Sequence, residues 1–97
     1  MGRYVSLINW TDQGIRNYKD TRQRAEAFGS MVQGLGGRVV DIYWTQGPYD
    51  IVSIVDLPDD ESATAAMLKV GALGNVRTTT LRAFSADDMA RIVEKAG

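Results

Sequence analysis

The stretch Gly47-Pro48-Tyr49-Asp50 decides how this 97-residue chain folds, because it lies between two segments with the composition of β-strands. Residues 38–46 and 50–57 are rich in β-branched and aromatic side chains, which favour strands. Glycine and proline between two such segments are typical of a turn that reverses the chain. The sequence therefore predicts a β-hairpin with this stretch at its tip.

One strand and one long helix are predicted before the hairpin. Residues 3–9 have strand composition, and Thr11 or Asp12 can cap the helix that follows. The glycine-rich segment 34–37 is expected to end that helix, since glycine readily adopts the left-handed conformation of a C-cap. The apolar residues expected along its buried face are Ile15, Tyr18, Ala25, Phe28, Val32 and Leu35.

A second helix, a fourth strand and a terminal helix are predicted after the hairpin. The second helix begins at residues 58–61, whose carboxylates can cap free amides, and ends at Gly74-Asn75. Residues 76–84 form the strand, and Ser85 begins the terminal helix. The residues expected to face inward are Ala63, Ala66, Met67, Val70 and Leu73 in the second helix, and Met89, Ile92 and Val93 in the terminal helix.

The order of elements is β-α-β-β-α-β followed by a helix. This order predicts an α+β, ferredoxin-like fold in which two helices cover one face of a four-stranded antiparallel sheet. The length is that of one domain, and no linker or tandem repeat divides it, so residues 1–97 are interpreted as a single domain.

Both faces of the predicted sheet carry apolar side chains. Two helices can cover only one face, so the other face needs the terminal helix, a second subunit, or both. We therefore expect a homodimer that pairs through its sheets. With regular alternation, one face of the second strand would have Val40, Ile42 and Trp44 and its other face Val39, Asp41, Tyr43 and Thr45. In the third strand, Ile51, Val55 and Leu57 would oppose Val52 and Ile54.

Composition argues against several classes of function. Eleven basic and twelve acidic residues leave no basic excess for nucleic acid. The chain has neither cysteine nor histidine, which removes thiolate chemistry and the commonest general base and metal ligand. No apolar run approaches the length of a membrane span, and no signal-peptide pattern is present. We expect a cytoplasmic protein with no metal site, no cofactor, and neither nucleic acid nor membrane as a partner.

Four segments, in this order, resemble the GYD-domain family, which is placed among the dimeric α/β-barrel proteins. They are Leu7–Gly14, Gly47–Asp50, Leu57–Asp60 and Gly74–Thr78. The resemblance spans nearly the whole chain and implies a ferredoxin-like subunit that pairs through its sheet as a dimeric α/β barrel. It implies no particular activity.

The hairpin turn is also similar, more loosely, to a turn in the ligand-binding domains of leucine-responsive-type regulators. Those domains carry a Gly-x-Tyr-Asp-like turn between the second and third strands and bind small molecules between subunits. Residues 1–97 contain no helix-turn-helix pattern. The similarity would therefore make it a stand-alone effector sensor.

Four candidate ligand-binding residues lie at strand ends. Tyr49 could donate a hydrogen bond and Asp50 could act as a base or ligand anchor, although turn residues usually serve the turn and Asp50 could simply accept backbone amides. Trp10 and Trp44 could stack on a flat ligand. Their alternative role is packing in the core or between subunits.

Two further candidates lie on neighbouring strands. If Tyr4 and Arg82 face the same side of the first and fourth strands, they place a phenol and a guanidinium beside each other, together with the hydroxyl groups of Ser6 and Thr80. The alternative is a set of polar contacts across the subunit interface, in which Arg82 would pair with Asp41.

Three hypotheses about function follow. The first is a homodimeric binding or accessory module for a small organic molecule or a protein partner. The second is a cofactor-independent oxygenase, isomerase or cyclase that uses Tyr49, Asp50, Arg82 or a tryptophan. The third is an effector sensor. The absence of histidine and cysteine favours the first.

Overall fold

The computed structural model describes residues 1–97, and its elements follow the predicted order. The strands form one antiparallel sheet in the order β2-β3-β1-β4, which confirms the predicted α+β architecture. The elements are β1 (Gly2–Trp10), α1 (Asp12–Arg16), a 3-10 turn (Tyr18–Asp20), α2 (Thr21–Gly34), β2 (Arg38–Trp44), β3 (Ile51–Leu57), α3 (Asp60–Ala72), β4 (Val76–Ala83) and α4 (Ala86–Ala96).

The hairpin between β2 and β3 is present but wider than predicted. β2 ends at Trp44 rather than at residue 46, and residues 45–50 form the connection. Gly47 has a φ of 100°, a conformation that side chains rarely adopt, so glycine is required at this point of the turn.

The single long helix predicted between β1 and β2 is interrupted. The side-chain amide of Asn17 donates to the carbonyl oxygen of Gln13 at 2.9 Å. The Arg24 guanidinium donates to the carbonyl oxygens of Asn17 and Gly14, at 3.0 and 3.2 Å. These bonds satisfy carbonyl groups that a continuous helix would have used, and the chain turns before α2 begins.

Several apolar residues predicted to face inward are exposed. The interruption after α1 turns its side chains away from the sheet, and the last residue of the predicted stripe on the second helix lies beyond the end of α3. The parts of the first two predicted stripes that contribute to the core therefore lie on α2, with Leu35 just after it, and on α3. The exposed residues are Ile15, Tyr18 and Leu73, and in α4 they are Met89, Ile92 and Val93.

A β-bulge in β2 corrects the predicted facing of that strand. Val39 pairs with Val55 and Asp41 pairs with Ile54, so Val40 is an extra residue opposite β3. Val39 therefore lies under the helices on the same face as Val55, instead of facing away with Asp41. Regular alternation had placed Val39 on the same face as Asp41, whereas Val39 packs against the main core.

The helices α2 and α3 cover one face of the sheet, which we call the covered face. Its best-packed end contains a polar group as well as apolar ones, since Tyr4 lies among the aliphatic side chains. A smaller cluster of Ile8, Ile51 and Val76 occupies the opposite end. The main core consists of Tyr4, Phe28, Val32, Val55, Leu57, Ala63 and Ala66.

Helix α4 begins as predicted but does not pack into the core. Ser85 Oγ accepts the amide of Asp88 at 3.0 Å, and the Asp88 carboxylate accepts the amide of Ser85 at 2.9 Å, which completes a capping box. No residue of α4 is buried. None of the helices combines the length and apolar character needed to cross a membrane.

Candidate functional site

Asp50 connects the hairpin to the end of β1. Its carboxylate accepts the backbone amide of Trp10 at 2.9 Å, and its own amide donates to the carbonyl oxygen of Ile8 at 2.9 Å. These bonds fix the hairpin against β1, which is the role of the turn aspartate in the structural interpretation. The hydroxyl group of the adjacent Tyr49 makes no hydrogen bond within the chain, while its carbonyl oxygen accepts the Thr45 hydroxyl at 2.7 Å.

The two tryptophans have different surroundings. Trp44 is partly exposed, and its indole N–H donates to Thr21 Oγ1 at 2.9 Å, which ties β2 to the start of α2. The Trp10 indole lines a cavity, and its N–H is buried without an acceptor in the chain. Trp10 is therefore the only one of the six candidate residues that lines this cavity.

Tyr4 and Arg82 do lie beside each other, as the strand pattern predicts, but at the far end of the sheet. The Tyr4 hydroxyl donates to Asp60 Oδ1 at 2.5 Å, and the Arg82 guanidinium lies 5.5 Å from the centre of the Tyr4 ring. Burial, followed by the bond to Asp60, raises the pKa of Tyr4. Arg82 and Asp41 lie on opposite edge strands of the chain, so they form no pair within one subunit.

The six candidate residues therefore do not converge on one site. Trp10, Trp44, Tyr49 and Asp50 lie at the hairpin end of the sheet, whereas Tyr4 and Arg82 pair across β1 and β4 near its other end. Ser6 and Thr80 lie between the two ends, and their hydroxyl oxygens are 3.0 Å apart. Most of the polar groups with catalytic potential are thus occupied by structural hydrogen bonds.

Two of the segments that carry the family resemblance contact each other. Thr11 Oγ1 donates to the carbonyl oxygen of Gly74 at 2.5 Å, and the Gln13 side chain donates to Asn75 Oδ1 at 2.9 Å. A Cβ atom at Gly14 would overlap the backbone carbonyl of Asn75, so only glycine allows this approach. These segments therefore join the start of α1 to the entry of β4 and have a structural role.

A cavity of 410 Å³ lies between the covered face and the helices α2 and α3, at the hairpin end. Its lining is mostly apolar and includes Ile8, Phe28 and Val70. Two cationic residues, Arg24 and Lys69, also line it. Sequence reasoning missed both, although a lysine beside the apolar stripe of the second helix was an available signal.

The opposite face of the sheet, which we call the open face, has no helix over it. Arg3 Nε and Asp56 Oδ1 are 2.9 Å apart on this face, and Arg38 bonds the other Asp56 oxygen at 3.3 Å. The bond from Arg3 lowers the pKa of Asp56. The aliphatic residues of the open face include Val5, Leu7, Val52, Ile54 and Leu81.

Comparison with solved structures defines the class of fold. The chain aligns with the leucine response regulatory protein LrpA of Mycobacterium tuberculosis with a TM-score of 0.66 and 16% identity, covering 88% of this chain and 51% of that one. It aligns with FFRP-DM1 with a TM-score of 0.63 and 17% identity, covering 87% of this chain and all of that one. These similarities show a shared ferredoxin-like fold.

Sequence comparison then defines the family. The GYD domain model matches residues 4–93, and the chain belongs to the GYD domain family. A Thermus thermophilus protein named "Glutamine synthetase and cystathionine beta-lyase binding protein" is 32% identical over 90 residues, which are 92% of this chain and 95% of the relative. The crystal structure of TTHA0845 from Thermus thermophilus aligns with a TM-score of 0.57 and 31% identity, covering 89% of this chain and 96% of that one.

Proposed function

We propose that this protein is a homodimeric accessory module that binds an enzyme and performs no chemistry itself. The observation that carries the proposal is the contrast between its polar and apolar groups. Asp50, Tyr4 and Arg82 make structural contacts, whereas the apolar residues of the open face are only half-buried or exposed and those of α4 are exposed. Apolar surface that stays exposed in the subunit is typical of sites where proteins associate.

The open face is the proposed surface for a second copy. It combines half-buried aliphatic residues with both signs of charge, since Arg3 and Arg38 flank Asp56. A surface that carries both signs can complement itself about a two-fold axis. A chain of this length also has a small core, so burial between two sheets adds substantially to its stability.

Helix α4 is the proposed surface for the enzyme. Its capping box and the ion pair between Asp88 and Arg91 stabilise the helix without support from the sheet. Its exposed apolar residues Met89, Ile92 and Val93 are spaced along one side. An amphipathic helix of this kind binds by laying its apolar side into a groove of the partner.

The name of the Thermus thermophilus relative supports an enzyme as the partner and suggests which enzymes to test. Glutamine synthetase and cystathionine beta-lyase from the organism of this chain would each be immobilised, and binding of the chain measured by biolayer interferometry. We expect binding to at least one of them. The absence of binding to both, with the chain shown to be folded, would contradict the proposed partner.

Two substitutions on α4 test the proposed surface. Ile92→Asp places a charge in the apolar stripe and is expected to weaken binding about tenfold or more. Ala90→Asp adds the same charge beside the stripe, about 100° around the helix from Met89, and is the matched comparison, with binding expected to weaken less than in Ile92→Asp. Equal affinities for the two variants would exclude α4 as the docking surface.

A further inference from the structure

We propose that the cavity between the covered face, α2 and α3 is a binding site for a small apolar carboxylate. This site is separate from the open face and from α4, so the assignment does not depend on the proposed enzyme partner. Its volume of 410 Å³ lies within the range of about 300–1,000 Å³ that is typical of small-molecule sites.

The walls of the cavity require an apolar ligand body. Of its 17 lining residues, 12 are hydrophobic, and they come from the sheet as well as from both helices. Ala25 and Ala27 on α2 present only methyl groups to this space. The opposite end of the covered face is filled by Tyr4 and its neighbours. An empty apolar space forfeits dispersion contacts, and a ligand of matching shape restores them.

The charged residues of the cavity require an anionic group on that ligand. Arg24 and Lys69 line the cavity, and no aspartate or glutamate does. Lys69 is exposed and makes no ion pair in the chain. Arg24 uses two N–H groups on the carbonyl oxygens of Asn17 and Gly14, and a guanidinium has five such donors.

The two cations come from the two helices that border the cavity, since Arg24 belongs to α2 and Lys69 to α3. Both are more exposed than the apolar residues beneath them, such as Ile8 and Phe28. A carboxylate placed between them would therefore lie at the mouth, with its apolar body directed towards the sheet. A polyanion such as a nucleotide fits poorly, because its phosphates would outnumber the cations and its polar body would meet apolar walls.

The test compares two probes that share a phenylbutyl body and differ in the terminal group, which is an anionic carboxylate in one and a neutral hydroxyl in the other. 4-Phenylbutyrate and 4-phenyl-1-butanol would be titrated into the full chain by calorimetry, and the contacted residues mapped by amide chemical shifts. We expect the acid to bind about tenfold more tightly than the alcohol, and its affinity to fall with added salt. Shifts are expected at Phe28, Val70 and Thr78, which line the cavity.

Two lysine substitutions, one beside the cavity and one on α4, serve as variant and matched control. Lys69→Gln is expected to weaken the acid about two- to fivefold and to leave the alcohol unchanged, because Lys69 is exposed and its loss removes one screened ion pair. Lys95→Gln removes a lysine from α4 and is expected to bind both probes like the wild type. Because both positions are exposed, neither substitution should prevent folding.

Several results with the probes would overturn the assignment. They are equal affinities of the acid and the alcohol, equal effects of the two lysine substitutions, shifts confined to the open face or to α4, and no binding of either probe at millimolar concentration. Concentration-dependent shifts of the cavity residues without a probe would show that a second copy of the chain occupies the groove, and this too would overturn it.

Discussion

The two faces of the sheet have the same alternating pattern and different surroundings. On the covered face, every second residue from Gly2 to Ile8 in β1 and from Ile51 to Leu57 in β3 is buried, and Leu57 is fully buried. On the open face, the intervening residues are only half-buried, and Leu81 on β4 is 49% exposed. The covered face therefore supplies the stability of the subunit, and the open face is available for association.

The largest effect is expected from the covered face. Leu57→Ala should lower the free energy of unfolding by about 3–5 kcal/mol, because it leaves a cavity in a filled core. Leu68→Ala is the control, since Leu68 is 70% exposed on α3, and it should cost less than about 1 kcal/mol. Chemical denaturation of both variants measures the difference. Similar losses of unfolding free energy in the two variants would contradict the assignment of the core to the covered face.

A smaller loss of stability is expected when the Tyr4 hydroxyl is removed from that core. Tyr4→Phe removes the hydrogen bond to Asp60 and should cost about 1–3 kcal/mol. Because the folded-state pKa of Tyr4 is raised, its contribution is present below about pH 10 and is lost as the pH rises through the folded-state value. Denaturation of the wild type should therefore become easier in this alkaline range, and Tyr4→Phe should lack that part of the dependence.

Tyr18→Phe is the control for this prediction, because Tyr18 is exposed and its hydroxyl makes no hydrogen bond in the chain. Its stability should match that of the wild type at neutral pH. If Tyr4→Phe showed the same alkaline dependence as the wild type, the Tyr4 hydroxyl would not be its source.

A smaller loss of stability is expected from a substitution at the hairpin. Asp50→Asn weakens the bond from the carboxylate to the Trp10 amide and should cost about 1 kcal/mol. Binding of 4-phenylbutyrate should not change, because Asp50 does not line the cavity. Asp87→Asn, on the exposed helix α4, is the control. A large loss of binding at an unchanged melting temperature would instead make Asp50 a site residue.

The smallest effect at neutral pH is expected from the ion pairs of the open face. The pKa of Asp56 is lowered, chiefly by Arg3, so its contribution is present above about pH 4 and is lost as the pH falls through the folded-state value. Asp56→Asn should remove this part of the acid dependence in denaturation experiments. If Asp56→Asn unfolded in acid as the wild type does, the Asp56 carboxylate would not be the source of this pH dependence.

The sequence predicted the order of elements and missed features that depend on distant contacts. Alternation in β1 and β3 was sufficient to assign their faces, but the bulge at Val40 reversed the facing of Val39. The break after α1 depends on Arg24, which reaches back to carbonyl groups of an earlier turn. Local periodicity does not report contacts of this kind.

The candidate site was less predictable than the fold, for a related reason. Residue type and position placed Trp10 at a strand end and Asp50 in the hairpin, but did not indicate the bond between the Trp10 amide and the Asp50 carboxylate. They also did not indicate that Tyr4 would donate to Asp60, or that the cavity would form beside Arg24 and Lys69. A cavity arises from imperfect packing between helices and sheet, and side-chain volumes along one element do not determine it.

The central claim is that the open face pairs two copies of the chain, and the molar mass in solution tests it most directly. Multi-angle light scattering at micromolar concentration should give twice the 10.6 kDa of the chain for the wild type. Leu7→Lys, which places an uncompensated charge in the centre of the open face, should give 10.6 kDa with unchanged secondary structure by circular dichroism. A wild-type mass of 10.6 kDa, or a Leu7→Lys variant that remains dimeric, would contradict the claim.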